Sequence, residues 1–207
     1  MTIPIAIIGA GSVGSNLGRG FVDAEYDVVF GVRDPDDHDV SQLAESLGDC
    51  ARVTTVEAAI GTGDPVVLAV PANVAPDLAA THRDQLAGKT VIDPTNSLAT
   101  DGMAVDASIA QRIATAAPEA TVIKAFNTIG AEWFRDPEVD DVPATMFVSG
   151  DDPAAKDTVT DLAGSLGFDP IDVGALSTAH HLEHLARFWI HLSRTYGRDI
   201  AFQLLGG

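Results

Sequence analysis

One cysteine, Cys50, stands in 207 residues, which excludes an internal disulfide and any thiolate cluster built by a single chain. Basic residues are scarce as well. Twelve Lys plus Arg stand against 30 Asp plus Glu, a formal charge of −18, with a pI near 4.3. The lysines are Lys89, Lys124 and Lys156 alone, and the acids are mostly aspartate. A surface of that sign repels phosphate backbones and anionic lipid, so neither nucleic acid nor a membrane is expected as a partner. Long apolar runs are missing too: none approaches the roughly 18 residues of a spanning helix. The N-terminal MTIPIAIIGAG lacks the basic region of a secretory signal and reads as a first strand. A reducing, cytoplasmic setting is therefore expected. The Asp-rich, Lys-poor bias fits a halophilic cytoplasm in particular, where molar salt shortens the Debye length to about 3 Å and removes the repulsion between like charges.

What is present is enough to build a core, with 46% hydrophobic residues and a mean hydropathy of +0.16. Short apolar runs predict strands at 3–8, 27–31, 52–54, 65–70, 90–92, 121–125, 144–149 and 169–173. Helical spacing predicts helices at 12–23, 41–47, 56–60, 74–85, 108–116 and 153–166. Runs such as IPIAII and VVLAV are apolar on both faces, as in strands covered by helices on both sides. Alternation of this kind predicts an α/β fold with a doubly wound, mostly parallel sheet. One domain is expected over 1–207, with 176–207 as a small C-terminal helical extension. Its apolar residues Leu182, Leu185, Phe188, Trp189 and Leu192, with a break at Tyr196-Gly197, predict a terminal helical hairpin.

The motif that carries chemistry is Gly9-Ala10-Gly11-Ser12-Val13-Gly14, placed between a predicted strand and a predicted helix. Gly9 permits the tight turn, Gly11 lets the backbone approach a pyrophosphate, and Gly14 lets the helix pack against the strand. Amides at the start of that helix then face an anion along a favourable dipole. The second strand ends in Gly31-Val32-Arg33, with no acid to take the ribose hydroxyls of NAD. Glycine leaves room for a 2′-phosphate and Arg33 offers a planar cation to pair with it, which favours NADP. Asp34, Asp36, Asp37 and Asp39 are the competing partners for that arginine.

Loops after later strands border the crevice of an open sheet. They are Val70-Pro71-Ala72-Asn73, Asp93-Pro94-Thr95-Asn96 and Lys124-Ala125-Phe126-Asn127-Thr128-Ile129-Gly130. Asn127 and Thr128 offer neutral hydrogen-bonding groups and Ile129 an apolar wall, suited to a nicotinamide with a planar redox partner stacked upon it. Lys124 at a strand end is a candidate proton donor, although a lone lysine there more often serves structure. His180-x-x-Glu183-His184 matches a short zinc-peptidase pattern, but no third ligand accompanies it and no metal is expected.

GAGSVG, GVRD, VPANV, DPTN, KAFNTIGAEWF, MFVSGDD and DVGALSTAHHLEHLARFWIHL together resemble the coenzyme F420-dependent NADP oxidoreductase family, over essentially the whole chain. The resemblance implies a Rossmann-type domain, commonly a homodimer, that moves a hydride between NADP(H) and coenzyme F420. It implies cofactor binding by Gly9, Ala10, Gly11, Ser12, Val13, Gly14, Val32, Arg33, Val70, Pro71, Ala72 and Asn96. Asn127, Thr128 and Ile129 would bind the second substrate. No catalytic acid or base is implied, since a hydride passes directly between two bound redox cofactors. Family members often carry serine where this chain has Val32, which removes one phosphate hydrogen bond. The KAFNT version of the last loop also resembles NADPH-dependent flavin and ferric reductases, which makes them the alternative, along with a non-catalytic NADP-sensing domain.

Overall fold

The strand order of the main sheet explains where a ligand can sit, and it follows from which segments can be buried on both faces. A computed structural model describes residues 3–97 and 107–206. Strands β1 (Ile5–Ile8) and β2 (Val28–Val32) are buried at every position. They are neighbours in an eight-stranded sheet whose order is β10-β9-β6-β5-β4-β1-β2-β3. The others are β3 (Ala51–Thr55), β4 (Val66–Leu68), β5 (Thr90–Asp93), β6 (Thr121–Lys124), β9 (Thr145–Gly150) and β10 (Asp169–Asp172), while β7 (Glu138–Val139) and β8 (Val142–Pro143) form a separate hairpin. All pairings in the main sheet are parallel except that of β6 with β9. The chain runs outward from β1 through β2 to β3, then returns to β4 on the other side of β1. That reversal opens a crevice beyond the strand C-termini between β1 and β4.

Helices α1 (Ser12–Asp23), α2 (His38–Leu47), α3 (Val56–Thr62), α4 (Ala75–Thr81), α5 (Arg83–Leu86), α6 (Ile109–Ala116), α7 (Pro153–Ser165) and α8 (Ala179–Tyr196) cover the two faces. The faces differ in kind. Ile5 and Ile7 of β1 point into a layer filled by Phe21, Phe30, Phe126, Phe134 and Phe168, in which the rings of Phe21, Phe126, Phe134 and Phe168 meet edge to face at 6.0–6.4 Å. Ala6 and Ile8 point the other way, into a layer rich in Ala59, Ala75, Ala79, Ala110, Ala117 and Ala179. Small side chains let the helices of that second layer approach the sheet closely.

Three sequence expectations change. The helix expected over 74–85 is two, because the chain turns at His82 (φ −107°, ψ 18°), whose ring bonds Gln85 at 2.9 Å. Helix α2 starts earlier than expected, since the Asp37 carboxylate accepts from the amides of Asp39 and Val40. The terminal hairpin is absent: α8 stops at Gly197, which has φ +83°, and residues 198–206 form no helix. That tail lies along β9 instead. Thr145 donates its amide to the Phe202 carbonyl at 2.9 Å, Leu204 donates to Thr145 Oγ1 at 2.9 Å, and the Trp189 indole donates to the Ile200 carbonyl at 2.8 Å. Bonds to a strand and a ring replace those of a second helix. Cys50 is exposed at the end of a short 3-10 turn. Among the described residues no helix is long and apolar enough to cross a membrane.

Candidate functional site

The turn leaving β1 makes its shape from glycines that do different jobs. Gly9 has φ +102°, and a Cβ on it would strike the Ala69 carbonyl, just after β4. A Cβ on Gly14 would strike the Gly9 carbonyl, so both positions are fixed by packing. Gly11 has nothing within 4 Å of where its Cβ would lie. The space in front of Gly11 is open. Gly11 caps α1 without a side-chain hydrogen bond, and the first turn holds no acid. The leading amides of that helix thus remain at the positive end of its dipole with no anionic side chain to neutralise them.

A cleft of about 780 Å³ spreads from this turn. Gly11, Ser12 and Val13 form one side. Val70, Pro71, Ala72 and Asn73 follow β4, Pro94, Thr95, Asn96 and Ser97 follow β5, and Ile109 with Arg112 of α6 close the far side. Seven of the residues expected to hold a cofactor therefore meet here: Gly11, Ser12, Val13, Val70, Pro71, Ala72 and Asn96. Gly9, Ala10 and Gly14 lie in the turn beneath, which is tied to β2 by the Gly9 amide donating to the Gly31 carbonyl at 2.9 Å.

At the end of β2, Val32 is buried and Arg33 is exposed. Among the described residues Arg33 forms no salt bridge. Two of its acidic neighbours are occupied elsewhere: Asp34 Oδ1 accepts from the Asp36 amide at 3.2 Å, and Asp37 caps α2. The expectation that Gly31 leaves room for a phosphate needs correction. A Cβ on Gly31 would come within 2.8 Å of both Ala59 and Ile8, so this glycine admits helix α3 and not a ligand.

The far wall is built on buried charge. Lys124 at the end of β6 is fully buried, and its ammonium donates to Asp93 Oδ2 at 2.9 Å, to Glu183 Oε1 at 3.3 Å and to the Thr95 carbonyl. All three donors of the lysine are engaged, which leaves none for a substrate. Asp93 Oδ1 also accepts from the Thr95 amide at 2.8 Å, which folds the loop after β5 back on itself. Glu183 Oε1 accepts from the Ile109 amide at 2.8 Å and so fixes the start of α6. The His-x-x-Glu-His pattern is split by this arrangement: Glu183 is buried in the wall, while His180 is half-buried with its Nδ1 2.7 Å from the Ser177 carbonyl and His184 is exposed.

Asn127 and Thr128 are buried, and Ile129 is half-buried. The Asn127 amide donates to Asn96 Oδ1 at 2.8 Å and to the Leu182 carbonyl at 3.1 Å, and Asn96 returns a bond to the Asn127 carbonyl at 2.8 Å. Phe126, just before, has φ +60°, a costly backbone state for a bulky residue. That kink turns the chain from β6 toward Asn96. Among the described residues the buried side-chain N or O atoms without a partner are Thr95 Oγ1 and Asn127 Oδ1. Both belong to this wall, and Thr95 lines the cleft.

Sequence reasoning passed over Asp93, Arg112 and Arg187 as site residues, and read Glu183 only as part of a metal pattern. Arg187 donates to the Ser97 carbonyl at 2.9 Å and ties α8 to the loop after β5. A signal for Glu183 existed: it shares the buried stripe of Ala179, Leu182, Ala186 and Trp189, where a carboxylate needs a cationic partner.

Residues 4–97 match the family described as NADP oxidoreductase, coenzyme F420-dependent. The Rattus norvegicus protein Metalloreductase STEAP3 is 31% identical over 179 residues, covering 86% of this chain and 35% of that relative. The human Metalloreductase STEAP2 is 27% identical over 183 residues, 88% of this chain and 36% of the relative. The chain thus spans about a third of the length of these curated relatives. A solved structure provisionally described as an F420-dependent NADP reductase, from Arthrobacter sp. FB24, superposes with a TM-score of 0.89 at 29% identity, over 99% of this chain and 100% of that one. A reductive aminase from Aspergillus terreus superposes with a TM-score of 0.70 at 19% identity, over 95% of this chain and 63% of that one, a likeness of fold alone.

Proposed function

Because this chain belongs to the coenzyme F420-dependent NADP oxidoreductase family, we propose that it binds NADPH across the cleft and exchanges a hydride with coenzyme F420. The observation that carries this reading is the open space at Gly11 beside uncapped helix amides. A dinucleotide pyrophosphate fits there without displacing a side chain. Arg33, which forms no salt bridge among the described residues, would take the 2′-phosphate. When bound, NADPH supplies the hydride.

The protein's own contribution is placement. The Gly11–Val13 amides would hold the pyrophosphate, Val70, Pro71 and Ala72 would exclude water along one edge, and Thr95 Oγ1 retains unmet hydrogen-bonding capacity beside them. Asn96, locked in its mutual pair with Asn127, orients the wall against which the acceptor would lie. Ile129 and Thr128 would back that wall. No side chain has to move a proton in a direct hydride exchange. The engaged state of Lys124 agrees with that economy.

A second reading, a flavin or Fe(III) as the final acceptor, has its own support: the 31% identity with a protein named a metalloreductase favours its metal-ion branch. Purified protein would be mixed with NADPH and, in turn, F420, FMN, FAD and Fe(III), at low and at molar salt, while the 340 nm band is followed. Saturable loss with F420 is expected. Loss only with flavin or iron would move the function to the second reading. NADPH binding without turnover would leave a sensor, and absence of binding would end all three. Acidity of this degree also leads us to propose a salt-rich working environment, in which binding strengthens between low and molar salt.

A further inference from the structure

The cleft carries one residue of unexpected sign. In a chain of charge −18, no acid stands among the described residues that line it, and their one charged side chain is Arg112. Among the described residues five of the twelve cations are engaged in ion pairs: Arg83, Arg135, Lys156 and Arg198 at the surface, and Lys124 in the buried wall. Among the described residues Arg112 enters no salt bridge.

Its base is held rigidly. Arg112 sits one turn into α6, whose start is fixed by a reciprocal cap between Ser108 and Gln111 and by Glu183 on the Ile109 amide. Those bonds also occupy the Ile109 and Gln111 amides of the helix's first turn. An anion arriving at this end of the cleft therefore meets the guanidinium and not the helix terminus.

Position then separates its role from that of Arg33. Arg33 follows β2, and α6 follows β5, with β1 and β4 between them. Three strand spacings place the two ends roughly 14 Å apart. An NADP molecule carries two anionic positions, the 2′-phosphate and the pyrophosphate, and Arg33 with the Gly11 turn accounts for both. A third anion site at the opposite end is left for a different molecule.

We propose that Arg112 receives the anionic tail of the hydride acceptor, a phosphate or carboxylate carried on a side chain of a flavin or deazaflavin, and thereby selects tailed acceptors over the bare chromophore. This rests on the NADPH reading above. The shared chemistry is an oxyanion taking parallel N–H bonds from a guanidinium. It applies equally to the phosphate of FMN and to the phosphate and carboxylate tail of F420.

The test pairs each acceptor with its tail-less form: F420 against the deazaflavin lacking the phosphate and carboxylate groups, and FMN against riboflavin. Binding to the NADP-loaded protein is read by fluorescence, turnover by NADPH oxidation, and NADPH affinity separately. Wild type should favour at least one tailed form. Arg112→Ala should weaken that form by about 10- to 100-fold, the usual worth of a charge-assisted contact, chiefly in KM. Tail-less binding and NADPH affinity should stay within about twofold, and Arg112→Lys should recover part of the loss. A matching loss of NADPH affinity would assign Arg112 to the dinucleotide and overturn the proposal. Equal loss for tailed and tail-less forms, or no tail preference in wild type, would overturn it as well. If wild type binds no NADP(H) at all, the underlying reading fails first, and that result is distinct from each of these.

Discussion

The two sides of the cleft are made of opposite materials. The side formed by the β1 turn uses backbone, glycine and open space, with no charged group within the Gly9–Gly14 segment. The far side is a buried ionic cluster, Asp93, Lys124 and Glu183, tied into three loops. The first side must stay available to a ligand, so its donors are left unpaired. The second rests on a cluster that must stay still, so the donors of Lys124 are consumed beneath it, and Arg112 stands outside that cluster at the rim. Availability and rigidity are thus divided between two walls, an arrangement suited to positioning two planar molecules against each other.

The largest effect is expected from breaking the far wall. Lys124→Met keeps length and removes the charge, which leaves two buried carboxylates without their cation. Destabilisation of about 3–5 kcal/mol is expected, the usual penalty for half of a buried ion pair. Glu183→Gln keeps a hydrogen-bond acceptor for the Ile109 amide and leaves Lys124 with Asp93 as a balanced pair. Its cost should be much smaller. Urea denaturation of both variants checks this, and comparable losses would mean that the cluster is not organised around the lysine.

A smaller effect, and a sharper one, separates the glycines of the first side. Gly14→Ala puts a Cβ against the Gly9 carbonyl, and backbone overpacking of that kind costs about 1–3 kcal/mol. Gly11→Ala has open space for its Cβ and should leave the melting temperature nearly unchanged. Yet that methyl occupies the ground proposed for the pyrophosphate. NADPH affinity should therefore fall by about tenfold or more for Gly11→Ala, a stability-neutral change. Unchanged affinity would place the pyrophosphate elsewhere.

The same contrast explains what could be read from the chain. The Gly9–Gly14 turn is a local pattern in which strand, turn and helix adjoin within about twenty residues, so spacing alone exposes it. The double-sided burial of β1 and β2 was legible for the same reason, since an apolar run has no polar face to hide. The far wall joins residues 31, 59, 74 and 90 positions apart, and no local period links Lys124 to Glu183. Nothing in the sequence around Arg112 sets it apart, because the fold alone brings the loops after β4 and β5 beside it. The tail after Gly197 misled differently. Its apolar residues at 200, 202, 204 and 205 suit a helix by composition, but Trp189, Trp133 and Thr145 take up its backbone groups, and tertiary bonding overrides weak propensity.

That tail also provides the smallest test, because it is held by charge at the surface where the wall is held by charge in the core. The Arg198 guanidinium donates to both Glu132 carboxylate oxygens and lies 5.1 Å from the Trp189 ring centre, while the Trp133 indole donates to the Arg198 carbonyl at 3.0 Å. The hydrogen bond from Arg198 holds the Glu132 carboxyl below its ordinary 4.5 despite partial burial. A carboxyl lowered on folding adds stability that is fully present above its unfolded value and is lost as pH falls through the folded one. The pair is 59% and 41% exposed on its two sides, so solvent screening limits it to no more than about 1 kcal/mol. Dilute protein titrated from pH 6 to pH 3 should show a small tryptophan fluorescence change below pH 4.5 with helix content retained. Glu132→Gln should show the shifted signal already at pH 6 and no step on acidification. If the variant and wild type titrate alike, the tail is held by its backbone bonds to Trp133, Trp189 and Thr145 alone, and exposed charge contributes to this fold only through its repulsion.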